Sequence, residues 1–352
     1  MNIPPQNKCA LVTGATGVVG RNLIRHLNEL AGWEVIGVSR RKPDARCTHV
    51  AADLLDRADC DAKLGGLAQV THLFHAAYAE RPTLAELCEP NRAMLANALE
   101  AIEPAASGLQ HVHIMQGTKY YGSHLGPFKT PAKESDARHL PPNFYYDLQD
   151  YVVGRQQGKA WSWSAARPHA VIGFALGNPM NLSTVIAVYA SICKELGVPL
   201  AFPGAKDAYS ALYQCTDAEL LARAMVWMAT SPACANEAFN ITNGDLIRWE
   251  NAWPRFAQAF GIEPGAPRRI SLAQTMADKA PLWQAIVEKH RLKPYRYAEI
   301  VSWRYGDFVF ATDYDVISDM GKARRYGFCE SLDTERRFLE IFESYRRERI
   351  IP

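Results

Sequence analysis

Through the first half of the chain, short apolar runs alternate with segments in which apolar residues recur every three or four positions. The runs Cys9 to Thr13, Glu34 to Ser39, His49 to Ala52, Thr71 to His75, His111 to Gln116 and Trp163 to Pro168 are short and largely apolar, which predicts buried strands. Between them, Val18, Val19, Leu23 and Leu27 share one helical face. Met94, Leu95, Ala98 and Leu99 do the same within Asn91 to Glu100, and Phe144 to Ala160 reads as another helix. Strands alternating with crossover helices predict an α/β fold with a parallel sheet and helices on both faces. After residue 178 the alternation weakens. Asn181 to Leu196, Asp217 to Ala229, Trp249 to Phe260, Lys279 to Lys289 and Leu332 to Glu348 read as helices, and Pro199 to Phe202 and Glu237 to Thr242 as short strands. The expected organisation is a core over 1–178 and a smaller, mainly helical lobe over 179–352, interleaved with the core through a strand returning near 236–242.

The end of the first run changes this picture. Ala10 to Thr13 leads into Gly14, Gly17 and Gly20, followed by the apolar-periodic segment. A strand, a sharp turn, a close backbone approach and a tightly packed helix in that order make a dinucleotide site, with the pyrophosphate at the helix N-terminus. The expected fold is therefore Rossmann-type, with Gly14, Thr16, Gly17, Val18 and Val19 around the phosphates. The second strand ends in Ser39-Arg40-Arg41-Lys42, where an NAD site carries an acidic residue for the ribose 2′-hydroxyl. Positive charge there suits a 2′-phosphate, so NADPH/NADP+ is the expected cofactor, held by Ser39, Arg40 and Arg41. Ligands of open parallel sheets sit beyond the C-terminal strand ends. That rule adds Asp53, Leu54, Ala76, Ala77, Gln116, Pro168 and Val171 to the cofactor set.

Composition narrows the function. The chain has 352 residues, 48% of them hydrophobic, and a formal charge of +2 from 39 basic and 37 acidic side chains. That balance supplies no electrostatic footprint for nucleic acid or an anionic membrane. The eight cysteines form no CxxC pair, so neither a zinc nor an iron-sulfur site is expected, and reduced cysteines suit a cytoplasmic protein. The N-terminus lacks the signature of a secretory leader, and no apolar run is long enough to span a bilayer. His72 and His75, like His111 and His113, lie in apolar strands without further ligands nearby in sequence, so no metal is expected.

The reactive residues follow the fifth strand. Gln116-Gly117-Thr118-Lys119-Tyr120-Tyr121-Gly122 is followed further on by Asn143-Phe144-Tyr145-Tyr146-Asp147-Leu148-Gln149-Asp150. A reductase of this type needs a phenol at the substrate oxygen and a cation nearby. The usual Tyr and Lys four residues apart on one helix are missing, since Gln149 and Asp150 occupy those positions. Lys119 is the natural replacement for that lysine, with Tyr145 or Tyr146 as the phenol. Asn143 and Asp217 are placed to cap helices.

These segments resemble the progesterone 5β-reductase and iridoid synthase-like branch of the extended short-chain dehydrogenases/reductases. The resemblance rests on Gly14, Gly17 and Gly20, on Ser39-Arg40-Arg41, Gly117-Thr118-Lys119-x-Tyr121, Gly126-Pro127-Phe128, Asn143 to Leu148 and Arg167-Pro168. It implies NADPH-dependent reduction of the carbon-carbon double bond of a hydrophobic α,β-unsaturated carbonyl compound, with Lys119 and Tyr145 active and Tyr121, Phe128 and Tyr146 toward the substrate. Three departures stand out: Gln149 replaces an acidic residue, Tyr120 a histidine, and Ser123-His124-Leu125 separates Gly122 from the Gly-Pro-Phe segment. Carbonyl reduction by the same pair and a non-catalytic dinucleotide-binding protein remain alternatives. The expected partner is the small-molecule enone or enal, and a homodimer is left open.

Overall fold

The computed structural model describes residues 8–178 and 180–352. Seven strands form one sheet: β1 (Lys8–Thr13), β2 (Trp33–Val38), β3 (Thr48–Val50), β4 (His72–His75), β5 (His111–Met115), β6 (Ser162–Pro168) and β7 (Glu237–Ile241). Their spatial order is β7-β6-β5-β4-β1-β2-β3, every pair parallel. The chain runs outward one way from β1 and the other way from β4, so a crevice opens above the β1/β4 junction.

Residues of opposite parity along each strand feed opposite faces. Cys9 and Leu11 join the core beneath α2 (Arg57–Leu64), α3 (Leu84–Ile102) and α4 (Phe144–Gln156). Ala10 and Val12 join the core beneath α1 (Val18–Glu29), while the second half of the chain supplies α6 (Ala218–Thr230) to the same layer, packed directly on α1. In between comes α5 (Leu182–Leu196). With α7 (Trp249–Phe260), α8 (Trp303–Phe310) and α9 (Thr334–Arg347), it builds a separate core around Trp249, Trp253, Phe256, Phe310, Phe338 and Phe342. These rings meet mainly edge-to-face, as their quadrupoles favour. No helix of the described residues is long and apolar enough to cross a membrane.

Three elements depart from the expected boundaries. Helix α3 starts well before Asn91 because Thr83 and Glu86 form a reciprocal capping box. It continues through Pro90, and the Asn91 side chain there donates to the carbonyls of Leu87 and Ala79. Helix α4 ends at Gln156, just ahead of Gly158 at φ 73°. The strand expected over Pro199 to Phe202 shrinks to Leu200–Ala201, paired with Pro264–Gly265 outside the main sheet.

The sheet histidines are hydrogen-bonded core residues. His72 faces His111 across β4 and β5. His111 lies 2.8 Å from Ser162 Oγ and 2.7 Å from Ser164 Oγ, and His113 is 2.8 Å from Ser164 Oγ. His75 Nδ1 is 3.0 Å from Thr13 Oγ1. Among the described residues no group of three or more His, Cys, Asp or Glu side chains could hold a metal ion.

Candidate active site

A cleft of about 700 Å³ opens where the C-terminal strand ends meet the aromatic lobe. Its phosphate end is built by absence of side chains. Gly14 adopts φ +68°, and a Cβ there would lie 2.5 Å from the carbonyl oxygen of Ala76. A Cβ on Gly20 would run into the Gly14 carbonyl. The Gly17 N–H donates to Gly14 O at 2.9 Å and closes the turn, and the first residues of α1, Val18 and Val19, line the cleft, so the helix N-terminus borders it. Thr16, Gly17, Val18, Val19, Ser39, Arg40, Arg41, Asp53, Leu54, Ala76, Ala77, Gln116, Pro168 and Val171 all line this one space with Gly14. Arg40 and Arg41 are solvent-exposed at the end of β2, and Arg41 reaches 4.0 Å from Glu299. The missing side chains and the two exposed guanidinium groups fit a dinucleotide carrying a 2′-phosphate.

Lys119 and Tyr145 come from different elements and enter the same cleft. Lys119 lies in a single 3-10 turn, Thr118–Tyr121, directly after β5, and Tyr145 lies in the first turn of α4. Asn143 joins them. Its side-chain oxygen caps the Tyr145 N–H at 3.1 Å, and its amide nitrogen donates to the Lys119 carbonyl at 2.7 Å. Gly117 supplies the room, since a Cβ there would sit 3.1 Å from Tyr145 Oη and 3.3 Å from the Pro168 carbonyl oxygen. Burial, reinforced by the Glu80 carboxylate, pushes the Tyr145 phenol above its ordinary range, so it stays protonated. Burial pulls the Lys119 ammonium below its ordinary value, with Glu80 partly opposing. Lys119 Nζ lies 5.2 Å from the centre of the Phe308 ring, whose face favours a cation.

Three residues expected toward the substrate do not line the cleft. Tyr121 is two positions beyond Lys119 in a three-residue-per-turn helix, so the two side chains diverge. Its hydroxyl donates to Asn240 Oδ1 at 2.7 Å and accepts from Arg167 at 3.0 Å. Tyr146, one step around α4 from Tyr145, donates to the Tyr120 carbonyl at 2.7 Å and accepts from His139 N–H. Phe128 packs against this tyrosine cluster.

The wall facing the pair comes instead from Tyr213, Tyr305, Phe308 and His169. Tyr305 and Phe308 are one turn apart on α8, an i, i+3 spacing that was readable in the sequence but hidden in a tail where almost every segment is aromatic. His169 directly follows Pro168. Its Nδ1 is 2.6 Å from Thr118 Oγ1, and its Nε2 has no partner among the described residues. Burial, and then the nearby Lys119, hold it neutral with a pKa of about 3.

The profile of the PRISE-like Rossmann-fold domain matches residues 46–352. The chain is 34% identical to an (S)-8-oxocitronellyl enol synthase of Camptotheca acuminata and 34% identical to a 3-oxo-Δ4,5-steroid 5β-reductase of Arabidopsis thaliana. Each comparison covers 97% of this chain and 93% of the relative. Among solved structures, an epimerase-like protein of Burkholderia cenocepacia superimposes with a TM-score of 0.67 at 17% identity, covering 98% of this chain and all of that one, a likeness of fold alone. By the extent of the profile match and the identity carried over nearly its whole length, the chain belongs to the PRISE-like Rossmann-fold family.

Proposed function

We propose that the protein is an NADPH-dependent reductase of the carbon-carbon double bond in hydrophobic α,β-unsaturated carbonyl compounds, acting through Tyr145 and Lys119. The supporting observation is that one cleft unites the glycine cradle, the exposed arginines, a buried protonated phenol, a buried lysine and an aromatic wall. The relatives' names point to small enone-type terpenoid and steroid substrates.

When bound, the cofactor supplies the hydride for the β-carbon. The chain's own residues handle the oxygen. The Tyr145 hydroxyl donates a hydrogen bond to the carbonyl, and that bond strengthens as negative charge gathers there. Lys119 opposes that charge. Asn143 keeps the two groups in register, and Tyr305, Phe308 and Tyr213 exclude water from the reacting face. Arg40 and Arg41 hold the 2′-phosphate. Replacing both with alanine removes two charge-assisted contacts which, being solvent-exposed, are worth about 1 kcal/mol each. The double variant is expected to weaken NADPH affinity by about 10- to 100-fold and leave NADH affinity nearly unchanged, as read by fluorescence titration. Equal losses for both cofactors count against this assignment.

The direct test is incubation with NADPH and a panel of enals, cyclic enones and 3-oxo-4-ene steroids, with products identified by NMR. A saturated carbonyl is the expected product. An allylic alcohol would move the hydride to the carbonyl carbon, and NADPH binding without turnover of any substrate would support an inert pocket.

A further inference from the structure

We infer that Gln116 and Arg167 are positioning residues for Tyr145: a buried cation dictates which way the Gln116 amide faces, and that amide anchors the backbone from which Tyr145 enters the cleft. This rests on the reading of Tyr145 as the group that meets the substrate oxygen.

Arg167, in β6, is 1% exposed. Its Nε donates to Gln116 Oε1 at 2.8 Å, and its terminal nitrogens donate to the Tyr121 hydroxyl at 3.0 Å, to Gln149 Oε1 at 3.2 Å and to the Glu134 carbonyl at 3.4 Å. The guanidinium carbon lies over the Tyr120 ring, 3.4 Å from its centre. No carboxylate oxygen is among these partners. Gln149 stands where the family resemblance leads one to expect an acid, so the groups to which Arg167 donates are neutral oxygens, with the nearby Glu134 carboxylate accepting from the Asn240 N–H instead.

A guanidinium has only donors. Gln116 must therefore turn its oxygen toward Arg167, which leaves its NH₂ facing the other way. That NH₂ donates to the Tyr145 carbonyl at 2.8 Å and to Gln149 Oε1 at 3.1 Å. A flipped amide would set donor against donor at Arg167 and oxygen against oxygen at both Tyr145 and Gln149, and each unmade buried bond costs about 1–3 kcal/mol. Gln149 lies one helical turn after Tyr145 and accepts from both Gln116 and Arg167, which closes the ring of contacts. Gln116 and its neighbour Gly117 thus act on the two ends of one residue. The amide holds the Tyr145 backbone, and the missing side chain of Gly117 leaves room for the phenol.

Gln116→Glu separates orientation from bulk. A carboxylate keeps the Arg167 contact, gains charge complementarity and loses the side-chain donor to the Tyr145 carbonyl. The expected result is a fall in kcat at least tenfold larger than any rise in the Kd for NADPH, with the melting temperature not lowered. With ¹³C-labelled tyrosine, the Tyr145 ring signal, assigned by its loss in Tyr145→Phe, shifts in this variant. Gln116→Met, which removes donor and acceptor at similar volume, gives the same kcat-against-Kd split and decides the matter if the glutamate variant does not fold. Arg167→Lys, without the planar fork, gives the same split where it folds. Unchanged kcat together with an unshifted Tyr145 signal in a folded Gln116 variant overturns the inference, as does an equal loss of kcat and NADPH affinity. A wild-type protein that turns over no enone, aldehyde or ketone instead tells against the proposed function, and the ring signal still reads the positioning.

Discussion

Tyr145→Phe is expected to bind NADPH as the wild type does and to lose about 100- to 1000-fold in kcat. That factor corresponds to the roughly 2.7–4 kcal/mol lost when one preorganised oxyanion donor is removed. The variant keeps the ring, and with it the packing of Tyr145 against Phe144, whose centroid lies 4.2 Å away, so only the hydroxyl is tested. The wild-type pH profile carries a second signature of the same pair. The phenol is raised by burial, so it stays a donor through the accessible alkaline range. The lysine is lowered by burial, so its charge is lost as pH rises, at a pH below that of an ordinary lysine. The alkaline fall in kcat is therefore expected to belong to Lys119 and to be absent from Lys119→Met. A Tyr145→Phe variant retaining more than a tenth of wild-type turnover would shift the donor role to another hydroxyl of the cleft wall, Tyr305 or Tyr213.

Acid is expected to unfold the protein through its sheet. His72, His75, His111 and His113 are each no more than 3% exposed. Burial is the leading cause that lowers all four, to about 4 for His72 and about 3 for His75 and His113. An unfolded chain protonates its histidines near 6.5, so the stability these groups contribute is complete above that pH. It is lost progressively as pH falls from 6.5 toward 3–4. Each contributes up to about 1.4 kcal/mol per pH unit across that window. Four together can consume a typical total stability of about 5–15 kcal/mol within a few pH units. Denaturant unfolding at a series of pH values between 7.5 and 4.5 measures the slope, and His75→Asn is expected to flatten it by the share of one proton. A stability that stays level from pH 7 to pH 5 would show that the folded sheet accepts these protons without cost.

The glycine spacing, the arginines at the end of β2 and the position of Lys119 just after β5 were legible because each lies within a few residues of a strand end, whereas Tyr145 was singled out by the resemblance of Asn143 to Leu148 to the family motif. Also legible were β1, β2, β4, β5 and β6, whose apolar runs are buried on both faces and do not compete with helical periodicity. What was not legible depends on direction. Tyr121 and Tyr146 belong to the right motifs, but a three-residue turn and a single helical step carry their side chains away from the cleft. The wall from α8 and Tyr213 is a product of tertiary packing, and nothing local in Trp303–Phe310 says which of its aromatic residues faces Lys119. Pro90, whose missing N–H argues against a helix interior, lies inside α3. The capping box before it and the side-chain bonds of Asn91 after it outweigh that loss.

β7 joins the sheet beside β6 but begins roughly seventy residues later in the chain. During synthesis, at about 5–20 residues per second, β6 therefore emerges with its outer edge open for several seconds. That edge offers unpaired backbone groups from Ser164 to Pro168 to any neighbouring strand. The newborn chain is therefore expected to pass through an interval as a six-stranded sheet with one open edge, exposed to edge-to-edge association until β7 arrives.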